Sequence, residues 1–212
     1  MNNRKREAVV FMHGLWMNGM EMALLRRRVA RCGFDIYQFR YPSLRKSPRE
    51  NAIALNTFLQ TVPAEVIHLV AHSLGGIIVL HLFDAFPQQK PGRVVMISTP
   101  IRGSGIAKQL YRSPLWRRFL GRSIEGGLLG DAPRWRSDRE LGMLAGTKGL
   151  GMGLVVTRGK LEKPNDGTVA LSSTCSSGLK AHKAVPYSHI GILFASPVAR
   201  AVCRFLQHGS FD

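Results

Sequence analysis

Acidic residues are scarce in this chain of 212 residues: 13 Asp and Glu stand against 30 Lys and Arg, a net charge of +17. A field of that sign favours anionic partners, whether lipid headgroups, acidic metabolites or nucleic acid. Cysteine is scarce too. Cys32, Cys175 and Cys203 are scattered, forming neither a disulfide framework nor a metal-ligand spacing, so three buried thiols acting as small hydrophobes are expected. Long apolar runs are missing, and no stretch reaches the length of a membrane span. The basic residues at positions 4–6 precede an apolar run of only Ala8 to Met12, with no small-residue cleavage site after it, and the expected location is cytoplasmic. There is no repeat, no Ser/Pro-rich linker, no zinc-finger spacing and no RNA-binding aromatic motif, so no specific nucleic-acid partner is expected. His/Glu metal motifs and phosphate-cradling glycine loops are also missing, and neither a metal nor a cofactor is expected.

What is present suits one domain, 1–212, with a proper core: 45% of the residues are hydrophobic. Short β-branched runs at 7–12, 34–40, 66–70, 93–98, 153–157 and 182–186 read as strands. Between them lie helical segments at 21–31, at about 48–60 and after Gly75, and a last helix runs over about 190–207 with Pro197 as a break. The clearest helix start is Ser47-Pro48-Arg49-Glu50, with Ser as N-cap, Pro first and Glu third. Strands alternating with helices, none joined as hairpins, predict an α/β fold with a parallel sheet wound on both sides.

Residues 99–152 break the alternation. They are too many for one crossover helix, and they interleave Leu110, Tyr111, Leu115, Trp116, Phe119 and Leu120 with Arg112, Arg117, Arg118 and Arg122. This helical insertion reads as a crossover packed on the sheet, as a cover over a substrate site, or as a basic amphipathic surface lying in a lipid interface.

Chemistry concentrates at strand ends. In Ala71-His72-Ser73-Leu74-Gly75-Gly76, a buried strand turns sharply into a buried helix, and the small residues Ala71, Gly75 and Gly76 allow that close turn. The turn exposes the Ser73 hydroxyl and leaves the Leu74 amide free at a helix N-terminus. His13-Gly14-Leu15-Trp16 follows the first strand at the same end of the sheet, so Gly14 permits a close backbone approach and the Leu15 amide is a second oxyanion donor. Asp166, followed by Gly167, and His189 each follow a later strand. The order nucleophile, acid, histidine is that of a Ser-His-acid machine on a wound sheet. His68 and His81 belong to a buried strand and helix, His72 should point away from the nucleophile, and His182 begins its strand at the wrong end. His13 shapes the oxyanion loop.

These pieces resemble the α/β-hydrolase superfamily, and within it the small bacterial lipases and esterases. The matching residues are His13-Gly14-Leu15-Trp16, Ala71-His72-Ser73-Leu74-Gly75-Gly76, Ser98-Thr99-Pro100 with Gly103-Ser104, Asp166-Gly167-Thr168-Val169 with Ser172-Ser173, and Ser188-His189. Ala71 stands where the family usually has glycine, and Ile101 stands where the lipase-like motif has histidine. The resemblance implies a trimmed sheet of about six strands, because the family's first two antiparallel strands have no room before Glu7. It implies hydrolysis of carboxyl esters with an acyl or lipid-like group through an acyl-enzyme on Ser73; the basic amphipathic stretch within 99–152 adds the expectation of peripheral contact with an anionic membrane. The same triad on a thioester, or in acyl transfer, is the first alternative. A non-catalytic basic domain binding anionic membrane or nucleic acid is the second.

Overall fold

The computed structural model describes residues 6–150 and 161–212. Six strands, β1 (Glu7–Met12), β2 (Asp35–Phe39), β3 (Val66–His72), β4 (Val94–Ile97), β5 (Leu141–Gly146) and β6 (Ala181–Val185), make one sheet in the order β2-β1-β3-β4-β5-β6. Every neighbouring pair is parallel. The helices are α1 (Ala23–Ala30), α2 (Pro48–Thr61), α3 (Leu74–Ala85), α4 (Gly105–Tyr111), α5 (Pro114–Leu120) and α6 (Ser196–His208).

Alternation along the strands divides the core in two. Val9 and Phe11 of β1 face α1 and α6, where Leu25, Val29, Val198, Val202 and Phe205 close over them. Ala8, Val10 and Met12 face the other way, toward Leu55 and Leu59 of α2 and Ile77 and Ile78 of α3. With both faces covered, the central strands are buried almost end to end, as a parallel sheet requires. Strand β1 lies between β2 and β3, so the winding reverses there. In an open parallel sheet the crevice for a ligand lies at that reversal, beyond the carboxyl ends of the strands. Met12 pairs with Ala71, which brings the loops after β1 and β3 side by side.

Helix α2 starts as its local sequence dictates. The Glu50 amide donates to the Ser47 hydroxyl at 3.2 Å, the Ser47 amide donates to the Glu50 carboxylate at 2.8 Å, and Pro48 opens the first turn. Pro197 does not break the last helix; it sits in the first turn of α6, where its missing N–H costs nothing, and residues Gly191–Phe194 before it form a separate 3-10 turn.

Strand β5 corrects the reading of the insertion. The strand expected at 153–157 lies outside the described residues, whereas Leu141–Gly146, assigned from sequence to the insertion 99–152, pairs with β4 and β6. Leu-Gly-Met-Leu-Ala-Gly has no β-branched residue and two glycines, a poor strand by propensity. Packing selects it. A Cβ on Gly142 would meet the Phe205 and Phe211 rings at 2.7 Å, and one on Gly146 would meet the Tyr187 carbonyl at 2.5 Å and the Asp166 Cβ at 2.7 Å. The excursion between β4 and β5 therefore ends before Leu141. It carries α4, α5 and a 3-10 turn at Gly121–Ile124, and Arg122 fastens it over α2 through Glu50 and its own neighbour Glu125.

The expectation of three unpaired thiols is also overturned. Cys32 and Cys203 form a disulfide with Cα atoms 6.3 Å apart, and Cys175 is free. The two lie 171 positions apart, and they meet because α1 and α6 pack side by side on one face of the sheet. No helix among the described residues is long and apolar enough to cross a membrane. Opening a loop of that length costs about 2–5 kcal/mol, so Cys203→Ser should lower the melting temperature, and dithiothreitol should bring the wild type down to the same value. A wild-type melting temperature indifferent to dithiothreitol would show that the bond contributes nothing.

Candidate active site

Ser73 joins β3 to α3 with φ of +52° and ψ of −118°, a conformation costly for any residue with a Cβ. The structure holds it there from both sides: the Ser73 amide donates to the Ile97 carbonyl at 2.9 Å, and the Gly76 amide donates to the Ser73 carbonyl at 3.1 Å. The glycines that follow admit no side chain. A Cβ on Gly75 would lie 2.8 Å from the His13 carbonyl and 2.9 Å from that of Met12, and one on Gly76 would lie 2.1 Å from the Thr99 hydroxyl. Leu74 is the first residue of α3, so its amide has no acceptor within the helix. Ala71, fully buried, belongs to the core beneath.

The loop after β1 is braced by residues at the end of β2. His13 stacks on Tyr41 with ring centroids 4.1 Å apart. Its Nε2 accepts from the Tyr41 amide at 3.3 Å, so the proton is on Nδ1, which donates to the Gly14 carbonyl at 2.9 Å. The Tyr41 hydroxyl donates to the His13 carbonyl at 2.5 Å, and the Trp16 amide donates to the Ser43 hydroxyl at 3.3 Å. Burial lowers the His13 pKa, with the Gly14 bond opposing. His13 is thus a neutral support, and Leu15 faces the same cavity as Ser73 and Leu74.

Asp166 and His189 meet. The His189 Nδ1–H donates to Asp166 Oδ2 at 2.7 Å, and its amide donates to the Asp166 carbonyl at 2.8 Å. The other carboxylate oxygen accepts from the amides of Thr168 at 2.9 Å and Val169 at 2.7 Å. Burial pushes the Asp166 pKa up, but His189 and the Val169 amide, helped by Ser98, outweigh it and hold the carboxyl below its ordinary value. With Nδ1 committed to Asp166, Nε2 of His189 is left for other work.

Ser73 and His189 are walls of one cavity of about 420 Å³, which runs inward between Ile106, Leu110, Leu120 and Leu128. No hydrogen bond joins the serine hydroxyl to the imidazole among the described residues. His68, His81 and His182 lie elsewhere: His68 contacts Glu7, His81 the Gly126 carbonyl and His182 the Thr174 hydroxyl. Among the described residues no group of His, Cys, Asp and Glu is arranged to hold a metal ion.

Sequence reasoning missed two supports. One is Tyr41, which follows the strand read at 34–40; its position at a carboxyl end of the sheet, like the other site loops, is the signal. The other is His72. It is wholly buried, its ring lies 4.7 Å from that of His189, and its Nε2–H donates to the His189 carbonyl at 3.0 Å. Its Nδ1 faces Gly14 and has no hydrogen-bond partner among the described residues. Burial, then the nearby His189, pushes its pKa down to about 3.

The chain belongs to the alpha/beta hydrolase family, whose model matches residues 9–190. Among solved structures, the mature form of the Bacillus licheniformis lipase BlEst2 is similar at 19% identity and a TM-score of 0.75, over 98% of this chain and 94% of that one. Phospholipase PlaB from Legionella pneumophila is similar at 19% identity and a TM-score of 0.70, over 95% of this chain and 60% of that one. The NocB thioesterase domain from the nocardicin cluster is similar at 17% identity and a TM-score of 0.57, over 95% and 94% of the two chains. At these identities the likeness is one of fold. No curated protein matches the chain in sequence.

The buried histidines make stability depend on pH. Unfolded, His72 binds its proton near 6.5; folded, it does so only near 3. Between those values the unfolded state holds more protons, so stability is lost as pH falls from 6.5 toward 3, at up to about 1.4 kcal/mol per pH unit. Asp166 acts in the same sense lower down, its stabilisation present above 3.8 and lost as pH falls through its depressed folded value. Urea unfolding at pH 7.5 and 5 should show a clear loss at the lower pH, and His72→Phe should flatten the difference. Equal midpoints for the wild type would contradict this assignment.

Proposed function

We propose that this protein is a serine hydrolase cleaving carboxyl esters of an acyl or lipid-like group through an acyl-enzyme on Ser73. One observation carries the reading: a strained serine and an aspartate-bound histidine line a single, largely apolar cavity. A serine hydroxyl is a weak nucleophile at neutral pH and needs a base during attack. His189 is that base. Its Nε2 takes the Ser73 proton as Oγ attacks the ester carbonyl, then returns it to the leaving alkoxide. Asp166 holds the tautomer and stabilises the imidazolium. The hydroxyl and imidazole close into hydrogen-bond distance with substrate present, as such contacts do when loose in the free enzyme.

The tetrahedral oxygen is received by the amides of Leu15 and Leu74, each worth about 3–4 kcal/mol in the transition state. Water then attacks the acyl-enzyme with His189 again as base. Neither step calls on a cofactor. The cavity falls within the usual size of small-molecule sites, and Ile106, Leu110, Leu120 and Leu128 suit a hydrocarbon chain. Contact with an anionic membrane, where such substrates reside, belongs to the same reading.

A fluorophosphonate probe should label Ser73, and Ser73→Ala should abolish labelling without loss of the fold. Asp166→Asn should cut turnover of p-nitrophenyl esters about 10³–10⁴-fold, because the amide no longer fixes the tautomer of His189; near-normal turnover would assign the acid elsewhere. Faster turnover of matched thioesters would move the substrate class to thioesters with the mechanism intact. A folded protein that neither labels nor turns over either series would return the chain to the class of basic binding domains.

A further inference from the structure

Helix α5 turns its large side chains outward. Leu115 is 66% exposed, Trp116 50% and Phe119 54%, and within α5 only Leu120 is buried. Water opposes such a face on a free monomer, and contiguous apolar patches of this kind mark a surface that something covers. The patch continues to the cavity. The Trp16 indole N–H donates to the Phe119 carbonyl at 2.8 Å, and the Trp116 and Phe119 rings lie 5.5 Å apart. Trp16, itself exposed, lines the cavity that holds Ser73, together with the exposed Leu150 and Ile190. The rim of the site and the outer face of α5 are therefore one apolar surface.

Its charged surroundings are lopsided. Arg117 and Arg118 are exposed on α5, and Arg45 and Lys46 are exposed on the neighbouring loop, where the Leu44 carbonyl accepts from the Arg122 amide at 2.9 Å. The nearby carboxylates Glu50 and Glu125 are engaged by Arg122. Asp131 borders a small groove with Arg117 and Arg118, so one carboxylate there faces two arginines. A second copy of this chain would bring like charges face to face. An anionic bilayer complements both features: aromatic side chains enter the interface while the arginines meet the headgroups, a combination typical of interfacial helices.

We propose that α5 and the cavity rim dock on an anionic lipid bilayer, with Trp116 and Phe119 in the interface and the mouth of the cavity turned toward lipid. The docking draws on the hydrolase reading only in taking the cavity as a substrate site.

Cosedimentation with vesicles tests it. The wild type should bind vesicles of phosphatidylglycerol and phosphatidylcholine and not phosphatidylcholine alone. Trp116→Ser with Phe119→Ser should weaken binding about tenfold or more, with an unchanged melting temperature because both side chains are exposed. Arg117→Gln and Arg118→Gln should each cost about fivefold at low salt, and less at high salt, where screening removes the attraction. A wild type that stays in solution overturns the proposal. So does a double aromatic variant that binds as the wild type does, since charge alone would then suffice. Concentration-dependent dimerisation abolished by Trp116→Ser would assign the face to a second copy instead. Ser73→Ala should bind vesicles undiminished. Vesicle binding without fluorophosphonate labelling would leave the docking standing while the hydrolase reading falls, and labelling without vesicle binding would do the reverse.

Discussion

The constraint beneath everything else is the approach of α3 to the ends of β1 and β4. Gly75 lies against the carbonyls of Met12 and His13, and Gly76 lies against Thr99, with no space for even a methyl group at either. Any side chain there would push the helix off the sheet, and the positive φ of Ser73 would have nothing to hold it. Because the helix enters so closely, the loops after β1 and β3 face one another and Leu74 lines the same cavity as Leu15. The geometry of the site follows from the absence of two side chains.

A second layer of polar contacts sets the loops in register. Tyr41 and Ser43 hold the loop after β1, and His72 reaches from the end of β3 to the backbone of His189. His72 combines two demands that conflict in water: it donates one hydrogen bond and must stay uncharged beside a histidine that carries a proton during the proposed reaction. Complete burial meets both, at the expense of an Nδ1 with no partner among the described residues. The cavity wall is apolar, so the few polar groups that reach it are held by neighbours behind them.

Features encoded over a few consecutive residues were legible in the sequence. The capping box of α2 and the turn at Ser73 depend on short patterns, and the parallel sheet followed from the alternation of elements, its count of about six strands coming with the resemblance. What escaped was written at long range. Gly142 and Gly146 make β5 look like loop until the aromatic rings of Phe205 and Phe211 and the loop of Asp166 are seen to need that space. Cys32 and Cys203 carry no spacing signal, since their meeting depends on two helices packing on a sheet that neither belongs to. Pro197 is a breaker or a starter according to where the turn before it ends, which local sequence leaves open.

The bond between Cys32 and Cys203 ties the end of α1 to α6, across the sheet face away from α2 and α3. Disulfides endure in oxidising surroundings and are opened by the glutathione pool of a reducing cytoplasm. The durability of one half of the core is thereby coupled to the redox state of whichever compartment holds the protein, while the half that carries the elbow has no covalent cross-link of its own.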